Sequence, residues 1–523
     1  MVKRLDELCA GLTVLERNGA ADCPVLGMAY DSRQVRPGFL FFALTGLHAD
    51  GHRFVDAAVR AGAAAVVHSE ALSRYEPQVA YLRVEDARHA MSPMAAAFFG
   101  RPSRDLAVIG VTGTEGKSTT VYLIYQLLTL AGKRAGFFST VMSDTGGGER
   151  PNPEHQTTPE ATAVQRMLAE MRDAGFGYAV VEASSHGLSP RTNRLGDVDF
   201  DIGVMMNVTH EHLEFHGSWE NYRLDKANLF RAVACASPKA VPRFGVVNAD
   251  DPSSGYFREA AGGRPVRSFS AAGAEADLAA TDLSVDAEGE SFTIVEARSG
   301  LRHPARLELP GAFNVGNALA ALLVVSELIA VPVAGLVPLL PKLRPVRGRM
   351  SAVRRGQDFE VIVDYAHTPS SFRTIFPPLR DRVRGRLICL FGSGGERDRE
   401  KRPQQGRIAA DYCDIVILSD EDPRGEDPAA LLGEIAAGCP ERRLGEDLFI
   451  IPDRPSAIRA AFGMARAGDL VALLGKGHEN SIIYKGGPIP YDEITEAERA
   501  LDELLGPGRA HNEVSGSEGR AER

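Results

Sequence analysis

The stretch from Leu106 to Leu128, LAVIGVTGTEGKSTTVYLIYQLL, decides the fold of this chain. A short apolar run ends in a glycine-rich turn, and the turn leads into a longer segment with the apolar spacing of a helix. N–H groups at the start of a helix have no partner within the helix, and the helix dipole adds partial positive charge there. The stretch therefore predicts a strand, a phosphate-binding turn and a helix that begins near Lys117.

The residues of this turn suit a nucleotide triphosphate. Glycines let the backbone pass close to phosphate oxygens, Lys117 would neutralise their charge, and Ser118 would ligate magnesium. The spacing departs by one residue from the usual phosphate-loop pattern, because the first glycine is at 110 and position 111 is valine. We expect ATP to bind here, through Gly110, Thr112, Gly113, Thr114, Gly116, Lys117, Ser118 and Thr119.

Apolar runs followed by glycine turns and helical stretches recur in two series, which is typical of parallel sheets covered by helices. The first series lies at 106–111, 178–181, 202–206 and 246–247, and the second at 361–363, 387–391, 415–418 and 470–474. Between them, residues 278–309 alternate polar and apolar side chains, which indicates antiparallel strands. We predict an α/β protein of three domains: a small mixed α/β N-terminal domain over 1–103, a central P-loop-type parallel-sheet ATPase domain with a small antiparallel sheet over 104–344, a C-terminal Rossmann-like α/β domain over 345–505, and a disordered tail over 506–523.

Composition excludes several classes of function. The net charge of −10, from 59 basic and 69 acidic residues, argues against nucleic-acid or anionic-membrane partners. The six cysteines form no CxxC pair, so neither a disulfide framework nor a zinc site is indicated. Asp6 and Glu7 interrupt the apolar residues at the N-terminus, which therefore lacks the apolar core of a signal peptide. We expect a cytoplasmic monomer that acts on small molecules.

The segment GTEGKST at 113–119, following a strand, resembles the Mur ligase family, and further motifs of that family follow in order along almost the whole chain. The resemblance implies an ATP-dependent, ADP-forming amide ligase of peptidoglycan synthesis, and thus a role in cell wall biogenesis, cell shape, cell division and the cell cycle. Within the family, the motifs are most similar to those of ligases that add a diamino acid to UDP-N-acetylmuramoyl-L-alanyl-D-glutamate.

The resemblance implies that Lys117, Glu182, His212 and Lys226 are catalytic. Glu182 in VVEASSHGL follows an apolar strand, where ligands bind in open α/β sheets, and matches a magnesium ligand that acts with Ser118. His212 in NVTHEHLEF matches a ligand of a second magnesium ion. Composition alone favours a solvated side chain for Lys226 in NYRLDKANLF. The family instead implies that carbon dioxide converts Lys226 to N6-carboxylysine, an oxygen ligand for the metal.

Two further histidines near this segment, His210 and His216, do not match the family motif. They are expected to be surface or packing histidines.

The nucleotide contacts implied by the resemblance extend beyond the phosphate turn. Asparagines in LPGAFNVGNALAA match residues that meet adenine, and RGRM at 347–350 contains the family's arginine, although Ser351 replaces the acidic residue that usually follows. VIVDYAHTPSSF matches a loop that contacts ribose and phosphate. The implied residues are Asn314, Asn317, Arg349, Asp364, Tyr365 and His367.

The first substrate is implied by DSRQVRPGFLFFALTGLHADGHRF, which resembles the family's uridine-nucleotide domain, and by TTP at 157–159. Arg191 and Arg194 compete for one family position, because SPRTNRL is longer than the family's segment. The implied contacts with UDP-N-acetylmuramoyl-dipeptide are Ser32, Arg33, Gly46, His48, Thr157, Thr158, Ser184, Arg191 and Arg194.

The segment that would recognise the second substrate does not decide which diamino acid is added. Relatives that add meso-diaminopimelate carry Asp-Asn-Pro-Arg where this chain reads Glu421-Asp422-Pro423-Arg424. Arg424 suits the extra carboxylate of diaminopimelate, whereas Asp422 suits the ammonium of L-lysine or L-ornithine. LLGKGHEN adds Gly475, Lys476 and Glu479 to the implied amino-acid site.

Two other functions remain open from the sequence. Another ligase of the superfamily, adding D-glutamate or polyglutamylating folate, is the nearer alternative, although folate ligases lack the uridine-binding domain. A catalytically inactive nucleotide-dependent switch is suggested by Glu115, Ser351 and Ile482, the last of which replaces an expected glutamine.

Overall fold

The computed structural model of the chain describes residues 2–46, 50–152, 156–209, 213–286, 289–309 and 311–506. Two residues of the predicted site, His48 and His212, lie outside the described residues, as do His210 and all of the predicted tail except Gly506.

The first hundred residues build a five-stranded sheet in the order β2-β7-β6-β5-β4. All neighbours are parallel except β2 and β7. Apolar side chains of α3, including Met91 and Met94, are buried on one side of this sheet. The elements are β1 Lys3–Arg4, β2 Val14–Gly19, β3 Pro24–Val25, β4 Gly27–Ala29, β5 Phe39–Phe42, β6 Ala65–His68, β7 Ala80–Val84, α1 Leu5–Leu8, α2 Val55–Arg60 and α3 Ala87–Phe98, with 3₁₀ turns at Ser32–Gln34, Gly51–Phe54 and Pro102–Arg104.

The central sheet has eleven strands in the order β11-β10-β9-β12-β8-β13-β14-β15-β16-β17-β18. Its middle strands are buried along nearly their whole length, which explains their nearly continuous apolar sequence. Its strands are β8 Ala107–Thr112, β9 Ala135–Phe138, β10 Met142–Asp144, β11 Arg150–Pro151, β12 Tyr178–Glu182, β13 Ile202–Met205, β14 Phe244–Asn248, β15 Val266–Ser270, β16 Leu278–Asp286, β17 Gly289–Glu296 and β18 Arg302–Leu307. Its helices are α4 Lys117–Leu130, α5 Ala161–Asp173, α6 Ser185–Leu188, α7 Leu213–His216, α8 Trp219–Cys235, α9 Ser254–Ala260, α10 Phe313–Ile329 and α11 Val333–Leu336, followed by a 3₁₀ turn at Val337–Lys342.

Strand β8 lies between two parallel neighbours that the chain reaches later, β12 on one side and β13 on the other. The chain therefore reverses its direction of travel across the sheet at β8. Ligands of open α/β sheets bind beyond the carboxyl ends of strands at such a reversal. We therefore expect the ligand-binding site of this sheet among the residues that follow β8, β12 and β13.

The strands predicted over 278–309 are present as β16, β17 and β18, with one difference from the expected arrangement. They do not make a sheet of their own, because β16 pairs with β15 in parallel at Phe269 and Leu278 and so extends the central sheet.

The C-terminal residues build a six-stranded sheet in the order β19-β20-β24-β21-β22-β23, in which only the β19–β20 pairing is antiparallel. The four strands predicted here are confirmed: three match at both ends, and the strand predicted at 361–363 extends over Glu360–Asp364. The elements are β19 Ser351–Ala352, β20 Glu360–Asp364, β21 Leu387–Phe391, β22 Ile415–Leu418, β23 Leu448–Ile450, β24 Leu470–Leu474, the hairpin β25 Ser481–Tyr484 and β26 Gly487–Pro490, α12 Pro369–Arg382, α13 Lys401–Tyr412, α14 Pro428–Ala436, α15 Arg454–Met464 and α16 Glu493–Leu505.

Internal contacts divide the chain into two compact units. The first comprises Met1–Thr281, Thr293–Ala305 and Gly316–Leu340, and the second Asp282–Phe292, Arg306–Val315 and Pro341–Arg523. The expected domain boundaries near residues 103 and 344 stay predictions.

Within the described residues, no single helix is both long and apolar enough to span a membrane. Phe313–Ile329 and Val333–Lys342 meet that criterion only when taken together, and the pair is bent by 113°.

A buried ion pair stabilises the C-terminal sheet. Arg454 and Glu493 have fully buried side chains that contact each other at 2.6 Å, and the guanidinium also donates to the carbonyls of Asp420 and Leu474. The pair thus joins the start of α15 to the start of α16 and to the ends of β22 and β24.

We expect Glu493→Ala to lower the free energy of unfolding by about 3–5 kcal/mol, because it leaves a buried guanidinium without its counter-charge. Denaturant unfolding would measure this loss. The matched control is Glu446→Ala, which removes the exposed partner of Arg443 and should change little. Equal unfolding midpoints for the two variants would contradict a stabilising role for the pair.

Candidate active site

The predicted phosphate turn lies between β8 and α4, and α4 begins at Lys117 as expected. Gly116 has φ 80°, and a Cβ atom there would lie 2.6 Å from the Asn317 Oδ1 atom. Both the backbone conformation and the close approach of α10 therefore require glycine. Asn317 accepts a hydrogen bond from the Thr120 hydroxyl at 3.2 Å, which places this predicted adenine contact beside the phosphate turn.

Two residues assigned to the turn from sequence lie instead in strand β8. Gly110 and Thr112 are buried strand residues. A Cβ atom at Gly110 would lie 2.5 Å from Leu229 and 2.8 Å from Phe200, so glycine is needed here for helix packing. The expectation that Gly110 wraps around phosphate is corrected on this ground.

Asn207, which the sequence analysis did not single out, holds the turn in shape. It follows β13, and its side-chain Oδ1 atom accepts the N–H groups of Thr114 and Glu115 at 2.9 and 2.8 Å. The Thr114 hydroxyl in turn accepts the Thr209 N–H at 2.9 Å. The only local signal was an asparagine directly after an apolar strand.

Two lysines point at neighbouring carbonyls of the turn. Lys117 Nζ donates to the Thr114 carbonyl at 2.7 Å, and Lys226 Nζ donates to the Gly113 carbonyl at 2.6 Å. Lys226 is 1% exposed, and its ammonium lies 4.3 Å from the centre of the Tyr222 ring. The solvated side chain that composition alone favours for Lys226 is therefore wrong. The amino groups of Lys117 and Lys226 both contact the turn.

Glu182 ends strand β12 beside the start of α4. Its Oε2 atom accepts the Ser118 hydroxyl at 2.8 Å and the Thr140 N–H at 2.7 Å, and its Oε1 atom accepts the Thr140 hydroxyl at 3.0 Å. A carboxylate and two hydroxyl groups at one buried point make an all-oxygen donor set, which is the set that magnesium prefers. The residues present thus fit the ion that the motifs imply.

Thr158 and Ser184, both predicted to contact the first substrate, meet next to Glu182. The Ser184 hydroxyl donates to Thr158 Oγ1 at 2.9 Å, and the Thr158 hydroxyl donates to the Glu182 carbonyl at 3.0 Å. Ser184 also caps helix α6 by accepting the Gly187 N–H. Thr157 is half-buried beside Thr158.

A second buried chain of polar groups joins the loop after β12 to helix α8. His216 contacts Asp225 through Nδ1 at 2.8 Å and the Ser185 hydroxyl through Nε2 at 3.1 Å. The expectation of a packing histidine is confirmed for His216, and its two partners were not foreseen. Because Asp225 precedes Lys226 on helix α8, these hydrogen bonds fix the position of Lys226 relative to the loop after β12.

The two competing arginines have different partners. Arg194 donates to the Thr158 carbonyl at 2.9 Å and to Glu160 at 2.9 Å, and Glu160 also accepts Arg88 from helix α3 at 2.9 Å. Arg191 is exposed, lies 4.7 Å from the Phe215 ring and donates to the Phe215 carbonyl at 2.5 Å. Arg194 therefore belongs to a polar contact between the N-terminal and central sheets.

The described residues of the predicted uridine site lie on loops of the N-terminal sheet. Asp31 caps the 3₁₀ turn that holds Ser32 and Arg33, and the Arg33 side chain is 88% exposed while paired with Asp31 at 2.7 Å. The hydrogen bond from Arg33 lowers the pKa of Asp31. Gly46 is exposed on the loop after β5.

In the second unit, Arg349, Asp364, Tyr365 and His367 are brought together as predicted. The Arg349 guanidinium lies 4.8 Å from the centre of the Tyr365 ring, and the rings of Tyr365 and His367 are 4.6 Å apart. Asp364 accepts the N–H groups of Met350 and Ala366, both at 2.7 Å. Burial raises the pKa of Asp364 against the opposing effect of Arg349.

Lys476 is the centre of the predicted amino-acid site. It is fully buried and pairs with Asp422 at 2.9 Å and with Glu479. Burial favours a lower pKa for Lys476, but the two carboxylates outweigh it and raise the pKa, so the lysine is a cation. Arg424 lies 3.8 Å from Asp422.

Asn314, one of the two predicted adenine contacts, is buried at the start of α10.

Three family descriptions match the chain in succession. Residues 24–99 match the Mur ligase family catalytic domain, residues 111–325 the Mur ligase middle domain, and residues 348–477 the Mur ligase glutamate ligase domain.

Similar proteins span nearly the whole chain. A UDP-N-acetylmuramyl-tripeptide synthetase from Treponema denticola is 51% identical over 95% of this chain and 98% of its own length. A UDP-N-acetylmuramoyl-L-alanyl-D-glutamate–2,6-diaminopimelate ligase from Syntrophomonas wolfei is 38% identical over 95% of this chain and 99% of its own.

Solved structures agree with these relatives. A structure of a UDP-N-acetylmuramoyl-L-alanyl-D-glutamate–2,6-diaminopimelate ligase has a TM-score of 0.61 at 32% identity, covering 92% of this chain and 96% of that one. The MurF ligase from Thermotoga maritima in complex with ADP shares the fold, with a TM-score of 0.62 at 21% identity over 91% of this chain and 97% of that one. With its phosphate turn, its buried Lys226 and this agreement over almost its entire length, the chain belongs to the Mur ligase family.

Proposed function

We propose that this protein uses ATP to join a diamino acid to UDP-N-acetylmuramoyl-L-alanyl-D-glutamate, releasing ADP and phosphate, in peptidoglycan synthesis. The names of the relatives support the substrate, because they describe tripeptide synthetases and a ligase acting on the same dipeptide. The observation that carries the chemistry is the buried Lys226 ammonium, 2.6 Å from a carbonyl of the phosphate turn.

The first step transfers the γ-phosphoryl group of ATP to the dipeptide substrate. A glutamyl carboxylate oxygen attacks the γ-phosphorus of ATP, the bond from that phosphorus to the β,γ-bridging oxygen breaks, and ADP leaves with the electron pair. Positioning and electrostatic stabilisation supply most of the catalysis in such transfers. Lys117 and the N–H groups at the start of α4 would hold the phosphates.

The second step forms the amide. The neutral amine of the diamino acid attacks the acyl carbon, the bond from that carbon to the phosphate oxygen breaks, and the nitrogen loses a proton. Among the described residues, Asp422, Arg424, Gly475, Lys476 and Glu479 are proposed to bind the diamino acid.

Magnesium fits beside the phosphates, where Ser118 and Glu182 would hold one ion and His212 would help to hold a second. When bound, the ion would offset the negative charge that accumulates on the transferred phosphoryl group. Lys226 is a further proposed metal ligand after its modification.

The modification of Lys226 would be carbamylation. The neutral amine adds to the carbon of carbon dioxide, forming an N–C bond and releasing one proton, and the cation becomes an anion. A lysine can lose its proton more readily when it is buried than when it is solvated. A carbamate oxygen next to Gly113 would suit a hard metal ion near the γ-phosphate.

Residues 1–103 would hold the uridine nucleotide, 104–344 ATP, and 345–505 the amino acid, in a cytoplasmic monomer with no nucleic-acid or membrane partner. The nucleotide would contact Gly113, Thr114, Gly116, Thr119, Asn314, Asn317, Arg349, Asp364, Tyr365 and His367, and the dipeptide substrate Ser32, Arg33, Gly46, His48, Thr157, Thr158, Ser184, Arg191 and Arg194.

Incubation with ATP, magnesium, the UDP-muramoyl-dipeptide and a panel of lysine, ornithine and diaminopimelate tests the activity. We expect ADP release that requires both the dipeptide and one diamino acid, with a product mass equal to their sum less one water. ADP release without the dipeptide, or none at all, would favour the inactive switch.

We expect Lys226→Ala to lower kcat by at least about 100-fold while ATP affinity falls less, because the group acts on the transferred phosphate. Steady-state kinetics and nucleotide titration measure the two effects. Lys133→Ala, at an exposed lysine in the loop between α4 and β9, is the control. Near-normal turnover of Lys226→Ala would remove the carbamate proposal.

Glu182→Gln should raise the magnesium concentration needed for half-maximal activity, since an amide is a weaker ligand for a hard cation than a carboxylate. Activity measured across a magnesium titration gives this value. Glu149→Gln, a carboxylate on a different loop of the same unit that accepts the Tyr122 hydroxyl, is the comparison. The same magnesium dependence in both variants would argue against Glu182 as a ligand.

A further inference from the structure

Two arginines from different parts of the first unit share one carboxylate. Arg88 of helix α3 and Arg194 of the loop after α6 both donate to Glu160 Oε1, each at 2.9 Å. The exposed fractions of the three side chains are 21% for Arg88, 15% for Arg194 and 7% for Glu160. Within the described part of the chain, neither arginine pairs with a second carboxylate. The triad of Arg88, Glu160 and Arg194 therefore has one positive charge in excess.

The triad lies beside residues that are predicted to contact the dipeptide substrate. Arg194 also donates to the Thr158 carbonyl at 2.9 Å, and Thr158 Oγ1 accepts the Ser184 hydroxyl at 2.9 Å. The Thr158 hydroxyl donates in turn to the carbonyl of Glu182, the last residue of strand β12. The excess charge is thus close to the carboxyl end of β12, where the reacting groups would meet.

The loop that carries Arg194 rests on helix α3. Asn193, directly before Arg194, has φ 49° and donates to the His89 carbonyl of that helix at 3.2 Å. The loop contains SPRTNRL, the segment that is longer than its counterpart in the family. Since Arg88 and His89 are neighbours on α3, the helix contacts both the backbone of this loop and, through Glu160, the Arg194 side chain.

The shared carboxylate decides how much of the Arg194 charge is left for a ligand. If Glu160 paired with Arg194 alone, the two charges would cancel, and the triad would offer no net charge to an anion. Arg88 adds a second cation to the same carboxylate and so restores a net positive charge. Partly buried charges are screened less by solvent and salt than exposed ones, so this difference affects the binding of a neighbouring anion.

The dipeptide substrate has a group that suits this charge. Its glutamyl residue has two carboxylates, and one of them accepts the phosphoryl group from ATP. The other does not react and stays an anion through both steps. The Arg194 guanidinium has further N–H donors beyond its hydrogen bonds to Thr158 and Glu160, and charge-assisted hydrogen bonds to a carboxylate are strong.

We propose that Arg88 is a positioning residue for the first substrate: it shares Glu160, so that the charge of Arg194 remains available to the unreacted glutamyl carboxylate. This inference deepens the proposed function and rests on it. Helix α3 covers the sheet that is predicted to hold the uridine nucleotide. The same part of the chain would therefore bind one end of the substrate and tune the charge that receives the other end.

Calorimetric binding of the UDP-muramoyl-dipeptide tests the role of the charge. Arg88→Gln should raise the Kd about 10-fold, because it removes the excess charge from a mostly buried triad. Arg88→Lys keeps the charge and should bind more tightly than Arg88→Gln. The matched control is Arg166→Gln, at an exposed arginine of the same unit that pairs with Glu170, and it should leave the Kd unchanged.

The double variant Arg88→Gln/Glu160→Gln separates charge from structure. It leaves Arg194 as the one charged group of the triad, so it should bind the dipeptide more tightly than Arg88→Gln does. A purely structural role predicts the reverse, because the second substitution removes a further ion pair. The Tm of each variant shows whether it is folded at the temperature of the titration.

An analogue in which an amide replaces the unreacted glutamyl carboxylate identifies the group that is recognised. The wild type should bind this analogue at least about 10-fold more weakly than the dipeptide, the loss expected for a charge-assisted contact. Arg88→Gln should lose most of that preference.

An unchanged Kd in Arg88→Gln, or a double variant that binds more weakly than Arg88→Gln, would overturn the inference. If Arg88→Gln does not fold, Glu160→Gln decides: binding at least as tight as that of the wild type supports the role of charge, and weaker binding refutes it. A wild type that binds the dipeptide but forms no tripeptide would refute the proposed function alone, whereas a wild type that does not bind the dipeptide would refute both.

Discussion

The hydrogen bond from the Lys226 ammonium to the Gly113 carbonyl, 2.6 Å long, is the contact on which the rest of the site depends. A buried lysine needs polar partners, and the turn that would bind phosphate supplies one of them. The contact fixes helix α8 against the turn after β8. The chain of Ser185, His216 and Asp225 fixes the same helix against the loop after β12. The ends of two neighbouring strands and one helix are thereby held in a single arrangement.

Much of the fold was accessible from sequence because its signals are local. Buried parallel strands read as continuous apolar runs between glycine turns, and the strands predicted at 387–391, 415–418 and 470–474 match the structure at both ends. The burial of Lys226, by contrast, was accessible only through the family resemblance, because composition alone favours a solvated lysine. The residues that contact a side chain in the folded protein cannot be recognised from its own stretch of sequence.

The misassigned and missed residues have the same physical origin. Gly110 was assigned to phosphate binding, yet its glycine is required by Phe200 and Leu229, which lie 90 and 119 residues away in the chain. Asn207 braces the turn and Thr140 binds Glu182, and each is an ordinary polar residue in its own segment. Asp422 pairs with Lys476, which follows a different strand, and this contact is not visible in the segment around Asp422. Long-range pairing of this kind becomes visible only when the sheets are assembled.

A crystal structure with magnesium and a non-hydrolysable ATP analogue would test the central claim most directly. We predict that the triphosphate lies along residues 113–117, with the γ-phosphate next to the Lys226 side chain and to Glu182. Phosphate density elsewhere on the molecule, or a Lys226 side chain turned away from a triphosphate bound in the turn, would contradict it.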